Sequence, residues 1–172
     1  RRQAIQAWRR VLQFDADASH LQVAADEFYL ALGRALLLEG QPKEAIPLLE
    51  KSNAAQQTSS ALAFLGDAYE QIGDAEQAAN SWKQAVRLDP NSVRSREGLA
   101  RSALIRKQAA EALEWLAPLL EQPNFQSSSA YLAQRAYAIL GKPEQVAKWE
   151  MTVAELRRQE QRRDLIESGI QR

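Results

Sequence analysis

Between Ala61 and Pro90 the chain reads ALAFLGDAYEQIGDAEQAANSWKQAVRLDP, and apolar side chains return every three or four residues on both sides of one polar break. Leu62, Leu65, Gly66 and Tyr69 share one face of a first helix, and Ala78, Trp82 and Ala85 share one face of a second. Gly73 ends the first helix, because a left-handed residue costs least in glycine. Asp74 caps the second by accepting a bond from an otherwise orphan amide, and Asp89-Pro90 stops it. The pattern predicts a helical hairpin. Gly66 and Ala78 are small enough to let its two helices approach closely beside Trp82.

The hairpin recurs. Stepping back 33 residues puts Leu65-Gly66 on Leu32-Gly33, Gly73 on Gly40, Ala78 on Ala45 and Trp82 on Leu49. Stepping forward 34 puts Leu65 on Leu99, Ala78 on Ala112 and Trp82 on Leu116; a second step puts Gly73 on Gly141 and Ala78 on Val146. In two copies, GQPKE and GKPEQ place Pro42 and Pro143 in the first turn of the second helix, where a missing N–H costs nothing. A single hairpin cannot bury its own apolar face, so neighbouring copies must stack. Pro47 and Pro118 fall inside second helices and are expected to kink them.

The ends follow the same register. WRRVLQFDAD from Trp8 aligns with WKQAVRLDPN from Trp82, so the chain opens on the second helix of a repeat without its first. The next helix is expected to carry extra residues over Ala18–Ala25, with His20 near its start as a surface or capping residue. At the other end, Val146, Trp149, Val153 and Leu156 form one side of a long last helix that runs on through a charged tract. Trp8 and Trp82 are expected in the core; Trp115 and Trp149, one residue off that face, at hairpin junctions or partly exposed.

Leu62-x₂-Leu65-Gly66-x₂-Tyr69…Ala78-x₃-Trp82…Pro90 resembles the tetratricopeptide repeat, with Leu62 in the place of the usual tryptophan and Trp82 in that of the usual phenylalanine. The copies near 26–58 and 93–126 agree in period and partly in residues. The copy near 127–156 departs, with Ala133-Gln134 for Leu-Gly and Glu150 at the large apolar position. The resemblance implies an all-α, right-handed α-solenoid of antiparallel helix pairs, a single domain over 1–172. Its expected divisions are 1–17 (half-repeat), 18–58, 59–92, 93–126 and 127–156 (repeats), and 157–172 (cap). Arg1 is not an initiating methionine, and the chain reads as a fragment of a longer one.

Composition narrows the function. The 22 basic and 22 acidic residues cancel, which argues against the electrostatic footprint of a nucleic-acid or lipid binder. Arg1, Arg2, Arg9 and Arg10, and later Arg157, Arg158, Arg162 and Arg163, are basic, but the later set alternates with Glu155, Glu160 and Asp164 in the manner of a solvated helix. No apolar run reaches membrane-spanning length. With one histidine and no cysteine, a His/Cys metal cluster and a thiol nucleophile are excluded. Acid pairs such as Asp67 and Glu70 read as solvated. No glycine-rich phosphate loop is present. The expectation is no enzyme, no cofactor and no metal, in a soluble chain of open compartment (cytoplasm or periplasm) whose composition suits a bacterial source.

What remains is a surface. On each first helix, the face turned away from its partner is a second stripe, and the resemblance implies that these stripes line a concave groove holding an extended peptide or partner helix. The expected groove residues are Arg34, Phe64, Asp67, Glu70, Arg94, Glu97, Arg101, Tyr131 and Arg135, with Phe64 and Tyr131 as aromatic anchors. The arginines could pair with a ligand carboxylate or phosphate, or with neighbouring acids across repeats. The family's dicarboxylate clamp uses Lys and Asn, which are absent from the matching positions. The expected function is a non-catalytic protein-binding scaffold. The alternative is a structural or oligomerisation module, or a regulatory arm of a larger protein whose catalytic part lies elsewhere.

Overall fold

The computed structural model describes residues 2–15, 18 and 20–170. Expectations that fall on Arg1, Ala16, Asp17, Ser19, Gln171 and Arg172, and on the side chain of Ile170, lie outside the described residues. The helices in chain order are α1 (Arg2–Phe14), α2 (Ala25–Leu38), α3 (Pro42–Ala55), α4 (Ser59–Gln71), α5 (Ala75–Leu88), α6 (Val93–Ile105), α7 (Ala109–Leu120), α8 (Ser127–Ile139) and α9 (Pro143–Ile170). No strand occurs among the described residues. The chain forms two compact units, Arg1–Gly98 and Leu99–Arg172, so the division falls inside α6.

The predicted turn is built four times with one geometry. Gly40, Gly73 and Gly141 have φ of 74°, 84° and 66°, and Lys107 takes the same left-handed place at 60°. At each, the following residue's N–H reaches the carbonyl five residues back: Gln41 to Leu36 at 2.9 Å, Asp74 to Tyr69 at 2.9 Å, Gln108 to Ala103 at 2.9 Å and Lys142 to Tyr137 at 3.0 Å. This is the glycine-type helix stop that satisfies orphan carbonyls. In the third copy the repeat keeps that geometry with a lysine, at the steric cost an L-residue bears there. Lys107→Gly is therefore expected to raise stability by about 0.5–1 kcal/mol, after the larger chain entropy of glycine is deducted. A lower denaturation midpoint in that variant would contradict the reading.

In the first unit α2 pairs with α3 and α4 with α5, while α4 also packs on α3 and touches α2. Leu32, Ala45, Leu49, Leu62, Leu65, Ala78, Trp82 and Ala85 are buried, as their register requires. Gly33 lies against Leu49 and Gly66 against Trp82. The Asp74 side chain accepts from the Gln77 amide at 3.1 Å, the expected cap. Tyr69, next on the same face, donates to Glu50 on α3 at 2.7 Å. Burial and that carboxylate push the Tyr69 phenol up to about 12.

Two expectations need correction. The extra helical residues before α2 do not form: α2 begins at Ala25, Ala18 is left-handed at φ 52°, and the His20 amide donates to Asp15 at 2.8 Å. Good helix formers lose there to a turn closed by an aspartate. Trp8 is only partly buried, edge-on to Phe28 at 6.5 Å, because its helix packs on α2 without being enclosed as Trp82 is. Pro47 and Pro118 lie inside α3 and α7 as expected, and both helices run on through them.

In the second unit α8 pairs with α9 and α7 packs on α8. Leu132, Ala133 and Val153 are buried, and Trp149 meets Phe125 edge-on at 6.1 Å. Trp115 is half-buried, its indole donating to Glu111 at 3.4 Å. Beyond the end of the pairing, Glu160 accepts from the Ser127 amide at 2.9 Å and from its hydroxyl at 2.6 Å. A carboxylate of α9 thus caps α8, whose own Gln126 offers no cap bond. Those two bonds hold the Glu160 carboxyl below its usual value.

Candidate functional site

The site grows out of the packing of Trp82. Its ring fills the space between Gly66 on α4 and Gly98 on α6, where an added Cβ would come within 2.3 Å and 2.4 Å of ring atoms. Buried at 1 % exposure, the indole must still place its N–H, and it donates to Asp67 at 3.2 Å. The other oxygen of Asp67 takes an ion pair from Arg94, at the start of α6. Asp67 therefore joins α4, α5 and α6 at one carboxylate. This corrects the solvated reading: its burial is tolerated because both oxygens are met.

Paired with Asp67, Arg94 lays its guanidinium over the Phe64 ring at 4.4 Å from the centroid. Arg34, from α2, stands over the same ring at 5.6 Å. Two cations on one aromatic face of the chain make a cation–π arrangement worth about 0.5–1 kcal/mol per contact at exposed sites. Phe64 itself is 7 % exposed, so it is a covered platform and not the open anchor that its register suggested. Above it lies an open cavity of about 610 Å³. Arg34, Ser60, Ala63, Phe64, Asn91 and Arg94 contribute to its wall, with Ser59, Asp89, Ser92 and Val93.

Of the nine residues singled out in the sequence, the structure brings Arg34, Phe64, Asp67 and Arg94 together. Glu70 and Glu97 belong to the same unit but do not line the cavity. Arg101, Tyr131 and Arg135 belong to the second unit; there Tyr131 is half-exposed, with Arg157 over its ring at 5.8 Å. The register argument missed Asp89, Asn91 and Ser92. They sit in the connection between α5 and α6, which a stripe drawn along first helices does not include. The polar NS pair after Asp89-Pro90 was the available signal.

Among the described residues no group of His, Cys, Asp and Glu could hold a metal, and no helix is long and apolar enough to cross a membrane.

Residues 65–128 match the family pattern described as the tetratricopeptide repeat. No curated protein sequence matches the chain. Among solved structures, MamA superposes with a TM-score of 0.74 at 21 % identity, over 92 % of this chain and 90 % of that one. YrrB, described as a tetratricopeptide protein with an unusual peptide-binding site, gives 0.67 at 20 %, over 90 % and 77 %. PilF of Pseudomonas aeruginosa gives 0.72 at 19 %, over 78 % and 62 %. Residues 65–128 thus carry the tetratricopeptide pattern, and the turn geometry with these superpositions shows an all-α helical-repeat fold along nearly the whole chain.

Proposed function

We propose that the chain is a non-catalytic scaffold that holds an extended segment of a partner protein against the α2–α4 face of the first unit, over the Phe64 platform. The observation that carries this reading is the open cavity floored by a buried aromatic ring and walled by two arginines and the polar groups of Ser60 and Asn91. Apolar floor with a few converging polar groups is the usual composition of a recognition site. Backbone groups of an extended segment can bond to Ser60 and Asn91 while its side chains alternate toward and away from the floor. Arg94 is held in place by Asp67 before any ligand arrives, so little order has to be created on binding. The peptide-binding site named for YrrB is in keeping with this use of the fold. The repeat divisions 18–58, 59–92, 93–126 and 127–156 are proposed with it, as are contacts of Arg101, Tyr131 and Arg135 with a partner.

Filling the cavity tests the proposal without touching the core. Ser60 is exposed, so Ser60→Trp is expected to leave stability within about 0.5 kcal/mol of the parent. The same change is expected to cost at least about tenfold in affinity for a partner protein captured with the parent chain. Lys83→Trp, on the exposed side of α5, serves as the control. Equal binding by both variants rejects the face.

A further inference from the structure

Resting on that reading, we propose that Arg34 is the subsite for one acidic side chain, Asp or Glu, of the bound segment, and that the subsite prefers this monoanion to a phosphate. Arg34 is exposed on α2, and its neighbours one helical turn away are Leu30, Ala31, Leu37 and Leu38. None of them can pair with it. Among the described residues, its guanidinium meets the Phe64 ring. Stacking uses the face of the guanidinium and leaves the in-plane N–H fork for a two-pronged bond to a carboxylate.

The surrounding charges set the preference. Arg94 is neutralised by Asp67, and Asp89, which lines the same cavity, has Arg96 beside it. Arg34 is thus one positive charge left over in a wall that is otherwise balanced. A single carboxylate matches it. A phosphate dianion brings a second negative charge that no remaining cation of the wall offsets. Because Arg34 stands in solvent, it draws the ligand in as well as fixing its register.

The test uses the full chain labelled with ¹⁵N and short, amide-capped peptide pools whose central residue is Glu, Gln or phosphoserine and whose flanks are randomised among non-acidic residues. The Nε–H signal of Arg34 and the amides of Ser60 and Asn91 are followed in titration. The Glu pool is expected to bind about tenfold more tightly than the Gln pool, the gain of one charged bond. Phosphoserine is expected to be no better than Glu. In Arg34→Gln the Glu and Gln pools are expected to converge, and in Arg34→Lys part of the difference survives. If Glu and Gln pools move Ser60 and Asn91 equally in the parent, the acidic subsite is wrong and the peptide face stands. If phosphoserine binds more tightly than Glu, the monoanion preference is wrong. If no pool moves those amides, both readings fall.

Discussion

Trp82→Ala is expected to lower the stability of the first unit by about 3–5 kcal/mol, the range for emptying a buried aromatic site. Trp82 is enclosed by α4, α5 and α6, and its removal leaves a hole that two glycines cannot fill. The indole N–H goes with it, so the buried Asp67 carboxylate loses the hydrogen bond that meets one of its oxygens. Trp82→Phe separates the two effects: it retains most of the ring and loses the N–H, and a loss of about 1–3 kcal/mol is expected. Denaturant unfolding measures both. A loss under about 1 kcal/mol for Trp82→Ala would mean that the ring does not bind these helices together. The consequence reaches the site, because the carboxylate that holds Arg94 over Phe64 is the one that the indole orients.

The second large effect is expected at the glycines on either side of that ring. In an exposed helix Gly→Ala would stabilise by about 1 kcal/mol. At Gly66 or Gly98 the new methyl lands 2.3–2.4 Å from the indole, which has no free side to move toward, since the other glycine closes it. Overpacking of this kind costs about 1–3 kcal/mol, so a net loss is expected in each variant. Gly33 repeats the arrangement with a softer partner: its added Cβ would meet Leu49 Cγ at 2.7 Å and a terminal methyl at 2.8 Å, and a leucine can turn aside. Gly66→Ala combined with Trp82→Leu should therefore lose less than the sum of the single changes. A double-mutant cycle with no coupling would place the glycine and the tryptophan out of contact.

Much of this fold was legible because a repeat states its own geometry several times. The step of 33 or 34 residues fixed which positions face inward, and glycines at 40, 73 and 141 fixed where each first helix stops. Lys107 was not legible as a left-handed residue from its own chemistry; only its register placed it there. The region before α2 was misread for the opposite reason. Helix-forming composition over Ala18–Ala25 carries no information about the turn that Asp15 closes.

The candidate site was legible in part. Helical spacing placed Arg34, Phe64 and Asp67 on stripes of one kind, and these do converge with Arg94. Spacing could not say that Asp67 would turn inward to meet an indole 15 residues later, or that two arginines would cover Phe64. Those outcomes depend on the distance between helices, which side-chain volumes set and periodicity does not.

The central claim is that a protein segment lies across the wall formed by Arg34, Ser60, Phe64 and Asn91. Residue-by-residue NMR of the full chain, with and without a captured partner protein, measures this most directly. The predicted result is that the largest changes cluster at those four residues and at Arg94, with Lys83 and Arg87 on the far side of α5 unmoved. Changes centred on Lys83 and Arg87, with the signals at Ser60 and Asn91 unaltered, would contradict it.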